Sequence, residues 1–215
     1  MQIGFNAPTT GPLIEPDSLV RIVTEGEAAG LRLRHDQRPH HGATQSAVEV
    51  SSIPGPASSR RAPRPRGSEQ LTTTAYVAGL TKKLRFVLSV MVVPHRPAVL
   101  TAKVLSTIDY LSKGRLTLGI GVGWCREEFE AIGAAPFDDR GNVTDEWMAA
   151  CQELWSAEAP KFDGKYVSFD DVVFTPKPVQ KPILIWWAGK VRRRSVAPSA
   201  MPTAGIRSAR TRSTR

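Results

Sequence analysis

Leu84-Arg85-Phe86-Val87-Leu88-Ser89-Val90-Met91-Val92 and Leu116-Thr117-Leu118-Gly119-Ile120-Gly121-Val122-Gly123 are the two stretches on which the fold class turns. Both are short, almost continuously apolar and rich in β-branched residues, the pattern of a strand covered on both faces. Pro94-His95-Arg96-Pro97 reads as the loop after the first. Ala98, Leu100, Ala102, Val104, Leu105, Ile108 and Leu111 then recur at helical spacing until Gly114. Strand, loop, helix and strand in that order make a parallel βα unit.

Working outward, Gln70 to Leu80 reads as a helix feeding the first strand. At the N-terminus Ile3 and Phe5 suggest a short buried strand, and Asp17 or Ser18 can cap a helix that carries Leu19, Ile22, Val23, Ala28 and Ala29 and stops at Gly30. Beyond Gly123, Glu127 to Ile132 and Asp145 to Leu154 are helical. Tyr166–Phe169 and Val172–Phe174 alternate like a small hairpin around Asp170-Asp171, and Ile183 to Trp187 is one more strand. The class is α/β. A doubly wound sheet and an eight-fold βα barrel both satisfy the pattern, and both place ligands at the carboxyl ends of strands. Those ends fall at residues 6–11, 89–96 and 121–126.

Composition excludes several classes. No run reaches the ~18 apolar residues of a membrane helix, and the N-terminus lacks the basic and apolar regions of a signal peptide, so the expectation is a cytoplasmic protein with no membrane partner. Cys125 and Cys151 stand apart without a CxxC, which gives no support to a metal site. The net charge of +9 is unevenly distributed: residues 32–68 hold seven Arg against Asp36 and Glu49, and residues 189–215 hold seven Arg plus Lys190 with no acid. The rest of the chain is net acidic. The basic stretches contain no aromatic residue to stack bases and no helix or strand pattern to enter a groove, which leaves only salt-sensitive, non-specific attraction to nucleic acid.

Gly119-x-Gly121-x-Gly123 suggests a dinucleotide turn, but G-x-G-x-x-G is absent and no acidic residue ends a strand about 20 residues on. A nicotinamide dehydrogenase on a doubly wound sheet is thereby disfavoured. The glycines either let a ligand approach the backbone or fit a crowded interior. His95, beside Arg96 in a loop, reads as solvated, and Asp109 reads as a cap or a partner of Arg115 rather than a base.

Several linked motifs carry a family likeness. Leu88-Ser89-Val90-Met91-Val92-Val93-Pro94-His95-Arg96-Pro97, Ala102-Lys103, Asp109-Tyr110-Leu111-Ser112-x-Gly114-Arg115-Leu116 and Leu118-Gly119-Ile120-Gly121-Val122-Gly123-Trp124-x-x-Glu127-Glu128-Phe129 resemble the luciferase-like monooxygenases, nearest their coenzyme F420-dependent branch. Phe137-x-x-Arg140-Gly141, Phe162-x-Gly164-x-Tyr166 and Pro176–Pro182 continue the likeness, which covers residues 1–30 and 69–188. The resemblance implies a (β/α)8 TIM barrel with FMN or coenzyme F420 at the carboxyl ends of its strands and a small organic substrate. It further implies a non-prolyl cis peptide near Ser89-Val90, a homodimer in the parent enzyme, and Asn6, Ser89, Val90, Gly121, Gly123 and Trp124 in the cofactor pocket. No metal and no nucleophilic side chain is implied, because the redox chemistry belongs to the cofactor.

Two segments depart from the family. Residues 31–68 stand where a second strand belongs, and residues from 189 onward stand where a Gly-rich turn and helix belong. Both are Arg-Pro-Ser-rich and aperiodic. A permitted coding string for residues 31–41, shifted by one base, reads Phe-Asp-Tyr-Ala-Thr-Ile-Ser-Asp-His-Ile. The tail, read by joining each codon's third base to the next codon's first two, gives Gly-Gly-Glu-Ser-Thr-Ala-Ala-Leu-Arg-Arg-Ala-Val. The expectation is therefore a partial barrel over 1–188, with 31–68 scrambled and irregular, followed by a disordered, out-of-frame basic tail over 189–215. Such a barrel is incomplete in its C-terminal half against the about 250 residues a (β/α)8 barrel needs, and it would be inactive as written. The prediction is that the gene's codons at about 31–68 and from about 188 permit the family-like readings in shifted frames. Nucleotide sequencing checks it, and synonymous codons incompatible with those frames would defeat it.

Overall fold

The computed structural model describes residues 12–30 and 67–187. Helix α1 (Pro16–Ala28) and helix α2 (Gln70–Leu80) precede strand β1 (Phe86–Val92), helix α3 (Ala98–Leu111) and strand β2 (Leu116–Gly121). Helices α4 (Arg126–Ala131) and α5 (Arg140–Ser156), the two-residue strands β3 (Phe162–Asp163) and β4 (Ser168–Phe169), and strand β5 (Leu184–Trp187) complete the order. Strands β1, β2 and β5 form a parallel sheet in the order β1-β2-β5. The α/β class and the parallel βα units expected from the sequence are both present, with β2 ending at Gly121. The expected irregular stretches 31–66 and 189–215 lie outside the described residues.

The packing follows from side-chain alternation. Phe86, Leu88 and Met91 of β1 pair in register with Leu116, Leu118 and Ile120 of β2, and all six are buried. They meet Ala102, Leu105 and Ile108 of α3 and Val143, Met148 and Leu154 of α5 in one apolar cluster, which also takes in Leu71 and Val77 of α2. Each of the larger side chains contributes about 1.5–3 kcal/mol on burial. Helices therefore gather on one face of the sheet, as in the outer ring of a barrel. Among the described residues no helix is long and apolar enough to cross a membrane.

The strands are not in simple register throughout. Leu88 pairs with Leu118 and Met91 with Ile120, so Ser89 and Val90 together stand opposite the single residue Gly119. This is a β-bulge, and the Ser89–Val90 peptide within it is cis, where the family likeness puts it. A Cβ built on Gly119 would fall on the carbonyl oxygen of Leu88. Only glycine fits there.

Carboxylates on three helices hold the connecting segments. Glu27 of α1 accepts the backbone N–H groups of Lys82, Lys83 and Leu84 at 2.9, 2.6 and 2.8 Å. Glu146 of α5 does the same for Lys165, Tyr166 and Val167. Asp109 of α3, fully buried, accepts from the N–H groups of Val179 and Gln180 and from the Gln180 side-chain amide.

Four sequence expectations need correction. Asp109 does not pair with Arg115. The Arg115 guanidinium instead donates to the carbonyls of Ala78, Leu84 and Ser112 and to Thr81, because it lies over the end of α2 while Asp109 faces the 176–182 segment. Neither Asp17 nor Ser18 caps α1: the helix starts at Pro16, whose fixed φ suits the first turn, with Asp17 inside that turn. The small hairpin pairs Phe162–Asp163 with Ser168–Phe169 rather than using Val172–Phe174, since Phe162 stacks on Phe169 and Phe174 is drawn into the main core. Helix α5 begins five residues before Asp145, because the turn at Phe137–Asp139 runs straight into it.

Removing the Asp109 carboxylate should leave the Val179 and Gln180 backbone N–H groups and one N–H of the Gln180 amide without the acceptor they share. Asp109→Ala is expected to lower stability by about 3 kcal/mol or more, read as a lower urea midpoint with an unchanged m-value. A loss under about 1 kcal/mol would show that water satisfies those groups.

Candidate functional site at the carboxyl edge of the sheet

Val92 pairs with Gly121, so β1 and β2 end side by side. The turn at Val93–His95 and the loop from Val122 to Cys125 therefore leave the sheet together. The glycines decide how close they come. A Cβ on Gly121 would lie 3.1 Å from Val90 Cγ2. Gly123 has φ +83°, and a Cβ there would lie 2.7 Å from Phe129 and 2.9 Å from Val92 Cγ1. Gly123 thus needs glycine twice over, for its left-handed backbone and for want of space.

Of the residues singled out from sequence, Ser89, Val90, Gly121 and Gly123 are brought together along this seam. Ser89 and Val90 are half-buried and Gly121 is buried. Trp124 follows the Gly123 turn and leaves its indole exposed at the rim. Asn6 lies outside the described residues. The structure therefore assembles a backbone-lined edge with one apolar contact, one hydroxyl and one large aromatic ring.

Sequence reading missed the layer behind that edge. His95 is not solvated: its side chain is only 6% exposed. The short 3-10 turn folds it inward, where it meets Phe129 of α4 edge-on at 4.8 Å. Its Nε2 has no hydrogen-bond partner and lies 3.8 Å from Glu128 Oε2, beyond bonding distance. Burial, with the Arg96 charge in support, pushes the imidazole down to about 4, so it is neutral at pH 7. Phe129 in turn meets Phe137 edge-on at 5.2 Å, and the Arg140 guanidinium lies 4.0 Å above the Phe137 ring. Arg140 Nε donates to the Gly123 carbonyl at 3.2 Å and Nη1 to that of Phe137 at 2.9 Å. The Phe137-x-x-Arg140 spacing was the available signal, since residues three apart at a helix start lie side by side. Among the described residues no group of His, Cys, Asp or Glu could hold a metal ion.

A three-stranded parallel βα sheet with a glycine-lined edge at its carboxyl end defines an α/β protein among the described residues. The family model for luciferase-like monooxygenases matches residues 6–201, and the chain belongs to that family. It is 33% identical, over 53% of its length, to an FMNH2-dependent dimethylsulfone monooxygenase of Pseudomonas putida, of which the match covers 32%. In fold it is similar to an F420-dependent secondary alcohol dehydrogenase solved with an F420-acetone adduct, with a TM-score of 0.64, 18% identity and coverage of 87% of this chain and 52% of that one. The monooxygenase RslO1 from Streptomyces bottropensis superposes with a TM-score of 0.61 and 21% identity, covering 87% and 53% of the two chains. The chain spans about a third of the length of the curated relatives it matches. Neither the nicotinamide dehydrogenase nor the nucleic-acid-binding reading gains support.

His95 gives the fold a pH dependence. Its value is about 4 in the folded state against an ordinary 6.5, so the unfolded chain binds more protons between those limits, and stability falls as pH drops from 6.5 towards 4. The expected contribution is roughly 3 kcal/mol across that window, measured as the difference in pH slope between the natural chain and His95→Leu in urea titrations. Identical slopes would mean the imidazole titrates normally.

Proposed function

We propose that the carboxyl edge of β1 and β2 is the ring-side wall of a pocket for FMN or coenzyme F420, in an oxidoreductase of the monooxygenase class acting on a small organic substrate. The seam between the bulge and the glycines carries this reading. With no Cβ at 119, 121 or 123, the backbone packs directly against the Leu88 carbonyl, Val90 and Phe129, which holds the bulge and the Gly123 turn as a firm wall beside which a planar ring can lie. Val90 supplies the apolar contact, Ser89 a hydroxyl, and Trp124 a rim that can shield the ring from water, with Asn6 contributing from the first βα unit. The match to an FMNH2-dependent enzyme and the fold shared with an F420-dependent one support both cofactors. When bound, the cofactor supplies the redox chemistry, and the chain's own residues orient it and exclude water. His95 is neutral and turned into the core, so it adds no charge of its own behind the seam.

Within this reading, residues 1–188 are the barrel portion, with 31–68 an Arg-Pro-Ser-rich interruption in sequence, and 189–215 are a basic tail. The family's phosphate side needs backbone N–H groups fixed at a helix N-terminus. The Arg-rich sequence after Ala188 offers positive charge in place of those directional donors. The chain as written accordingly binds the cofactor weakly and does not turn over, whereas a frame-restored version binds and does.

Fluorescence titration of both proteins with FMN and with coenzyme F420 tests this. Saturable binding of one cofactor by the restored protein alone is the expected result. Tight stoichiometric binding by the chain as written would overturn its inactivity, and no binding of either cofactor by the restored protein would overturn the cofactor reading.

A further inference from the structure

The aromatic layer behind the edge ends in a cation that reaches forward to the loop backbone. Arg140, half-buried at the start of α5, lays its guanidinium over Phe137 at 4.0 Å and donates through Nε to the carbonyl of Gly123. Its Nη1 holds the Phe137 carbonyl, so the fork joins the turn that precedes α5 to the turn that follows β2. Arg126 adds a second cation to the same ring at 4.7 Å while pairing with Asp138 at 2.7 Å. Phe137 then presses edge-on against Phe129, and Phe129 is the ring that fills the space a Gly123 side chain would need.

We infer that Arg140 is a positioning residue for the Gly123–Trp124 wall: its guanidinium, held flat on Phe137, fixes the Gly123 carbonyl and thereby aims the exposed Trp124 indole. The physical case rests on three constraints meeting at one peptide. Gly123 sits at φ +83°, a conformation that would relax towards other loop geometries if nothing held it. Phe129 limits it from behind, and the Arg140 hydrogen bond limits it in the direction along which the carbonyl could swing. A guanidinium suits this role because it is planar, stacks on an aromatic face and still presents donors at its edge. Lysine could supply the charge and donors, but not a plane stacked on the ring with two directed bonds at its edge. The geometry stands by itself; only its consequence, a correctly aimed cofactor wall, rests on the function proposed above.

The test needs no cofactor, so it fails or succeeds independently of that function. The full chain carries five tryptophans, and labelling with 5-fluorotryptophan gives each a 19F resonance, with those of Trp124 and Trp155 assigned by Trp124→Phe and Trp155→Phe. Arg140→Ala and Phe137→Ala are expected to shift or broaden the Trp124 resonance while that of Trp155, buried far along α5, stays in place. Phe137→Tyr, which keeps the ring under the guanidinium, is expected to leave Trp124 where it is. A Trp124 resonance unmoved in Arg140→Ala would overturn the inference. If Arg140→Ala alone unfolds, Phe137→Ala decides by the same criterion. Collapse of all resonances to unfolded positions in both alanine variants would also overturn it, since the pair would then support the whole unit rather than the wall.

Discussion

The approach of β2 to the Leu88 carbonyl is the constraint on which the site depends. Because two residues of β1 stand opposite one of β2, the Leu88 oxygen is driven to where a Cβ at position 119 would be. Glycine at 119 lets the two strands stay paired on either side of the bulge, so the buried Phe86, Leu88 and Met91 keep facing the helices while Ser89 and Val90 are re-aimed along the seam. A bulge in a strand otherwise committed to the core is thus how a packed sheet turns two residues towards its carboxyl edge without losing its hydrophobic face.

That arrangement would be of little use on a loose frame, and the frame is tightened by one device used repeatedly. Glu27, Asp109 and Glu146 each project from a helix and collect the N–H groups of a neighbouring connecting segment. A carboxylate accepting several backbone donors satisfies groups that would otherwise be left without partners and pins the segment in one conformation. Arg115 performs the mirror-image task with carbonyls at the end of α2. Since most of these bonds go to backbone, with the Gln180 amide and the Thr81 hydroxyl as side-chain additions, they fix the path of each segment more than its sequence.

Behind the seam the packing is aromatic rather than aliphatic. His95, Phe129 and Phe137 meet edge-to-face and end under Arg140. Edge-to-face rings resist sliding in a way that aliphatic side chains do not, because each ring edge seeks the centre of the next face. Placing this layer beneath Gly123 gives a glycine turn, intrinsically the most mobile kind, a rigid backing. The cost is a buried imidazole whose Nε2 finds no partner, tolerated because the ring stays neutral.

Local sequence accounts for the α/β class, the parallel βα order, the extents of α2 and α3, the stops at Gly30 and Gly114, and the placement of Ser89, Val90, Gly121 and Gly123 at the strand ends. All of these depend on local periodicity, on turn chemistry or on motifs continuous in the chain. It did not determine the partners of Asp109 and Arg115, the pairing of the small hairpin, the burial of His95 or the reach of Arg140 to Gly123. Asp109 meets Gln180 across 71 positions and Arg115 meets Ala78 across 37; no local pattern encodes which of several available donors or carbonyls a charged side chain will face. His95 shows the reason most plainly. Its neighbours in sequence, Pro94 and Arg96, suggested a solvated loop, but Phe129 and Glu128, some thirty positions away, are the groups that surround it. A side chain's environment is set by what the fold packs against it, and only the tertiary structure decides that.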